Sequence, residues 1–150
     1  MSDNWIAIIP EDPRFVPDAA KQHRARDRFA TIAPEADEIE IKVFEKIEFF
    51  DCGANRERIR CPSCRSEVSG QWWGDRMNED YEEGFKLAKY LVPCCGGEFT
   101  LHELDYEWPE GFGCFVLDAM NPNIGKLDDK YKQEFEAILG TKVRVIYQHI

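Results

Sequence analysis

The sequence predicts an α+β fold: one domain over residues 1–150, a mostly antiparallel sheet, and two to three helices. Three observations carry that reading. Apolar residues recur with period two through residues 39–49 and again at Val143, Val145 and Tyr147, the pattern of strands with one buried face. Two other stretches, ending at Pro34 and Gly140, space their apolar residues by three and four, as helices do. Between them, two pairs of cysteines sit on Pro- and Gly-containing turns. The 150 residues, 43% apolar and 13% aromatic, suffice for one core.

Taken in order, Trp5 to Ile9 is a short apolar run closed by Pro10, hence a strand. Glu11 to Pro17 is a proline-rich loop. Pro17-Asp18 opens a helix, because proline suits its first turn and aspartate its positive end. Phe29, Ile32 and Ala33 share one face of it, and Pro34 stops it. Ile39, Ile41, Val43, Ile47 and Phe49 form a strand or hairpin arm, Gly53-Ala54-Asn55 a turn, and Arg56 to Arg60 a polar arm. Tyr81, Phe85 and Ala88 fall at helical spacing within Gln71–Leu91, with Trp72-Trp73-Gly74 as a separate turn. Glu98 to Leu104 reads as a strand, Pro109 to Gly113 as a turn, and Cys114 to Asp118 as a strongly apolar strand. Asp128 caps a helix bearing Tyr131, Phe135, Ile138 and Leu139, and Gly140 closes it in the left-handed conformation. A terminal strand follows.

The cysteines are the most informative residues. Cys61-Pro62-Ser63-Cys64 can aim two sulfurs at one metal ion, and Cys94 and Cys95, between Pro93 and Gly96-Gly97, can supply two more. Four thiolates on two tight turns suit a tetrahedral, structural Zn²⁺, pinning a knuckle insert at about residues 61–97. A redox CxxC wants a helix directly after it, and Arg65 to Gly70 is a poor helix start. The two motifs resemble the zinc-ribbon family at Cys61, Cys64 and Cys95, whose second half usually reads CxxCG. Val92 stands where that pattern wants its first cysteine, so Cys94 is the fourth candidate ligand, with His102 and Cys52 as alternatives. Cys114, in the most apolar strand, is expected to be a packed thiol. The whole chain also resembles bacterial proteins of unassigned function that pair a CPxC with a later PCCG. That resemblance implies no activity.

A closed four-thiolate site has no open position for water or substrate, so the sequence favours binding over catalysis. His102-Glu103 invites a hydrolytic reading in which a Cys/His site keeps an open position. HExxH is absent, the order does not fit the zinc deaminases, and no GxSxG, P-loop or GxGxxG occurs. The formal net charge of −10 argues against nucleic acid and suits a basic protein partner. Only Arg56, Arg58, Arg60 and Arg65, around the first knuckle, support a nucleic-acid-binding zinc module. Glu103, Asp105, Tyr106, Glu107 and Trp108 mix carboxylates with rings, and Trp72 and Trp73 add one expected anchor, so these residues are the candidate partner surface. Size, charge and build are similar to those of immunity proteins that neutralise basic toxins. No apolar run approaches membrane-spanning length, and the first residues, Met1-Ser2-Asp3-Asn4-Trp5-Ile6, carry no export signal, so a cytoplasmic protein is expected.

Overall fold

A computed structural model describes residues 2–150. Its frame is a four-stranded sheet with the order β2-β7-β1-β8, in which every neighbouring pair is antiparallel. The strands are β1 (Asn4–Pro10), β2 (Glu38–Phe50), β7 (Gly111–Met120) and β8 (Val143–His149). Helix α1 (Ala19–Ile32) links β1 to β2, and α3 (Asp129–Leu139) links β7 to β8. Two βαβ units with the central strands from different units make the split βαβ arrangement.

Both helices lie on one face. Phe29 of α1 meets Phe135 of α3 with ring centroids 5.3 Å apart. Beneath them are Ile6 and Ile8 of β1 and Phe115, Leu117 and Ala119 of β7, all buried. Each fully buried side chain of the larger kinds contributes about 1.5–3 kcal/mol. The helix signals act as expected: Asp18 accepts from the Lys21 N–H at 2.9 Å, Asp128 accepts from the Lys130 N–H at 3.0 Å, and Gly140 has φ 75°.

The opposite face buries Ala7, Ile9, Val116 and Ile146. It is covered by the far end of β2 itself. The pairing of β2 with β7 slips between Val43 and Glu48, and such a bulge bends a strand. Phe44, Phe50 and the buried Cys52 then pack on this face, and Gly53 pairs with His149 on β8. The chain thus crosses from one edge strand to the other. Gly53 is required there: its φ is +61°, and a Cβ would lie 2.3 Å from the His149 carbonyl oxygen.

Residues 51–110 form an excursion between β2 and β7, which pair directly with each other. The excursion holds β3 (Ile59–Arg60) paired with β6 (Asp105–Tyr106), α2 (Gly70–Asp80), and β4 (Tyr90–Leu91) paired with β5 (Glu98–Phe99). A second core lies here, with Val68, Val92, Leu101, Leu104 and Tyr106 against Phe112 of β7.

Three elements differ from the sequence expectation. Trp72-Trp73-Gly74 lies inside α2, and the helix ends at Asp80 instead of running through Tyr81, Phe85 and Ala88. The cause is the buried Asp80 carboxylate. It accepts from the N–H groups of Lys86, Leu87 and Ala88 at 3.1, 2.8 and 2.9 Å, offering them partners that a helix would otherwise provide. Glu83, Gly84 and Leu87 take positive φ as the chain turns. Tyr81 and Phe85 still meet, with centroids 5.1 Å apart, across a bridge instead of a helical turn. Within 98–104, only Glu98–Phe99 is a strand; the rest turns so that Leu101 and Leu104 both enter the second core. Gly111 to Gly113 is the start of β7, not a turn, and buries Phe112 completely.

Candidate metal centre

The two knuckles have one backbone design. In the first, the Cys61 N–H donates to the Ser66 carbonyl at 2.8 Å and the Arg65 N–H to the Cys61 carbonyl at 3.0 Å. In the second, the Val92 N–H donates to the Gly97 carbonyl and the Gly96 N–H to the Val92 carbonyl, both at 2.9 Å. Arg65 (φ 67°) and Gly96 (φ 74°) occupy the same left-handed position. By these bonds Cys61 corresponds to Val92, Ser63 to Cys94, and Cys64 to Cys95. The second turn therefore moves one sulfur two residues along, while Val92 is buried in the second core.

All four sulfurs converge, each within 4.8 Å of the others. Cys64 Sγ is 3.3 Å from Cys94 Sγ, and Cys61 Sγ is 3.7 Å from Cys95 Sγ. A tetrahedron of sulfurs with metal–sulfur bonds near 2.3 Å has edges of about 3.8 Å. The two closest-paired spacings fall at or somewhat under this edge and every pair lies within 4.8 Å, so the donor set and its geometry fit a metal ion. All six cysteines are free thiols. Cys61 is buried, and the other three of the cluster are exposed. The Ser66 hydroxyl and N–H, followed by the neighbouring thiols, draw Cys64 down to about 6. A shared hydrogen with Cys64 pushes Cys94 up to about 12. Thiolates this close oppose one another's ionisation, and a cation among them is what lets all four ionise.

Neither alternative ligand is at the cluster. Cys52 lies under the sheet's far face, where burial and then the Glu110 charge push its thiol up to about 12. Cys114 is buried, as expected. His102, within the stretch expected to be a strand, is instead buried in a turn. Its Nε2–H donates to the Glu11 carbonyl at 2.7 Å, and its Nδ1 accepts from the Phe112 N–H at 3.0 Å. Burial and then the nearby Arg144 charge hold its pKa down at about 4. Both ring nitrogens are committed to the backbone, so His102 is a neutral tie between excursion and sheet.

That tie belongs to a polar belt the sequence does not announce. Arg144 of β8 grips the Glu11 carboxylate with two bonds, at 3.0 and 2.8 Å, and donates to the carbonyls of His102 and Glu110 at 3.1 and 2.7 Å. The Glu110 side chain is almost completely buried and receives Arg56 from both Nε and Nη2. Arg56 in turn lies over the Trp73 ring, 4.5 Å from its centroid. The partners of Arg144 lie 34 to 133 residues from it, and Glu110 lies 54 from Arg56, so no local spacing could have revealed them.

The pKa of His102 has a consequence for stability. Unfolded, the ring takes a proton near pH 6.5; folded, it refuses one until about pH 4. The contribution is fully present above the unfolded value and is lost as pH falls toward the folded one, amounting to about 3 kcal/mol. Urea unfolding from pH 7 to pH 4 should show this loss in the native protein. His102→Gln should abolish that part of the slope, leaving the part due to carboxylates and thiolates; equal slopes in the two proteins would refute the assignment.

The candidate partner residues are not all alike. Tyr106 is buried, with its hydroxyl donating to the Leu101 carbonyl at 2.6 Å and accepting from the Trp73 indole at 3.1 Å. Trp72 and Trp73 are both half-buried on α2 against the second core. Glu103, Glu107 and Trp108 are exposed. Asp105 is half-buried and pairs with Arg65 of the first knuckle at 2.6 Å, and Glu107 reaches Arg60 at 3.9 Å. Among the described residues, no helix is long and apolar enough to cross a membrane. No family model, curated protein or solved structure matches the chain.

Proposed function

We propose that this chain is a zinc-stapled, acidic protein-binding module that docks on a basic partner, in the manner of the immunity proteins it is similar to in size and charge. The observation that carries the reading is the coupling of the acidic turn to the metal knuckle. Arg60 and Arg65, on either side of the Cys61–Cys64 turn, face Glu107 and Asp105, so the ion that holds the knuckle also orients the carboxylates. Zinc is the proposed ion because an all-thiolate tetrahedral set selects zinc or iron over hard cations, and zinc adds no redox chemistry. Its role is structural: four sulfurs fill the coordination sphere and leave no place for substrate.

The same ion pairs weigh against nucleic acid. Of the four arginines around the first knuckle, Arg56, Arg60 and Arg65 each face a carboxylate, which weakens the local positive field that phosphate binding needs. The metalloenzyme alternative requires an open position. The Co²⁺-substituted protein should show a tetrahedral four-thiolate spectrum; a spectrum with fewer thiolates that responds to pH would favour the enzyme instead.

The docking surface itself is tested by charge reversal at exposed positions. Glu103→Lys with Glu107→Lys should slow association with the basic partner about tenfold and flatten its salt dependence, as read by surface plasmon resonance with the partner captured from the native host. Unchanged kinetics would remove this surface from the proposal.

A further inference from the structure

We propose that the cleft where the excursion meets the sheet edge is a binding site for a neutral saccharide. The cavity holds about 550 Å³ and opens beside a second of about 420 Å³ that shares Trp108, Gly125 and Tyr147 with it. Each lies within the roughly 300–1,000 Å³ range of small-molecule sites. None of its eleven lining residues is charged, in a chain of which 32% of residues are charged. A phosphate, carboxylate or ammonium would find no counter-charge in it. Glu107 and Lys126 line only the second cavity, and the Asp3, Asp37 and Glu35 carboxylates stand behind the first cavity's wall, each already holding a lining amide.

What the walls do offer is rings and oriented amides. Trp5, Trp108 and Tyr147 line the cavity, and flat aromatic faces suit the C–H faces of a pyranose ring. Three amides of the lining are fixed by bonds that use their NH₂ groups. Asn55 Nδ2 donates to the Tyr147 carbonyl at 3.0 Å, Asn123 Nδ2 to the Glu35 carboxylate at 3.0 Å, and Gln148 Nε2 to the Asp51 carbonyl at 2.9 Å. Each bond uses one of the two NH₂ hydrogens, so each amide keeps one N–H and its own oxygen without a protein partner among the described residues, and the wall offers donors and acceptors side by side. A sugar hydroxyl, donor and acceptor at once, matches that mixture at every position of the ring.

The wall is also set before any ligand arrives. Asn121, Asn123 and Gly125 all take positive φ, and Asn121 is tied to the Asn4 N–H and to the Asp3 and Asp37 carboxylates. A fixed wall lowers the ordering cost of weak binding.

The experiment is a titration of the ¹⁵N-labelled full chain with cellobiose, maltose and N,N′-diacetylchitobiose, following the indole N–H signals. At least one sugar should shift the Trp5 and Trp108 signals saturably with a dissociation constant on the order of 1 mM. Neutral recognition should be unchanged between about 0.05 and 0.5 M salt, which separates it from the salt-dependent protein docking proposed above. Trp108→Ala and Asn123→Ala, both at exposed positions, should each weaken binding, the first by about tenfold or more. No saturable shift with any of the three sugars, binding left intact by both variants, or tighter binding of adenosine would each overturn the proposal.

Discussion

Cys61→Ser, or chelation of the native protein, is expected to unfold residues 59–106 while leaving the four-stranded sheet in place. The magnitudes decide this. Structural zinc in small peptides contributes about 10–16 kcal/mol of apparent binding free energy at neutral pH. The excursion has only two-residue strands, one eleven-residue helix and a modest core to set against its loss. The main core, built on Phe29, Phe115, Leu117 and Phe135, does not touch the cluster, and β2 pairs with β7 without help from the metal. Hydrogen exchange should therefore show protection vanishing from β3 to β6 and persisting in β1, β7, β8, α1 and α3. Protection lost evenly across the chain, or not lost at all, would show that the ion does not staple the excursion.

Arg56→Ala should be the most damaging substitution away from the cysteines. It strands the Glu110 carboxylate, whose side chain is 1% exposed, and removes the guanidinium from the Trp73 face. Breaking a buried pair by deleting one partner costs about 3–5 kcal/mol, and the lost ring contact adds about 0.5–2 kcal/mol. Replacing both partners, as in Arg56→Met with Glu110→Leu, should recover most of this because no charge is then left buried. Recovery stays incomplete, since the Cys52 N–H, 3.3 Å from Glu110 Oε1, loses its partner at a cost of about 1–3 kcal/mol. Urea midpoints of the three proteins measure both effects. A single variant as stable as the native chain would show that the pair is solvated.

What the sequence discloses is what acts locally. Asp18, Asp128 and Gly140 mark helix ends because caps work over a few residues, and the structure has them in those roles. Cys61 and Cys64 announce themselves by spacing. Cys94 is harder, because the second turn keeps its backbone design but moves the sulfur. The 81–88 segment misleads because its ring spacing is helical while Asp80 captures N–H groups six to eight residues onward. His102 misleads for a related reason: its partners, Glu11 and Phe112, come from a distant loop and a strand. The sheet order is likewise hidden, since β1 pairs with β7 and β8 more than a hundred residues away.

The placement of the excursion at the tip of a directly paired hairpin bears on how fast the chain folds. Joining β2 to β7 means closing a loop of residues 51–110. A metal cross-link between the knuckles roughly halves the free length, and a halving eases closure by only about 0.6 kcal/mol. That is small beside what metal–sulfur bonds at the cluster would supply. Metal loss should thus leave the rate of sheet assembly nearly untouched and appear almost wholly as faster opening of the insert, the behaviour of contacts made after the rate-limiting barrier. The β1-α1-β2 and β7-α3-β8 halves can find each other whether or not the cysteine cluster has taken up a metal ion.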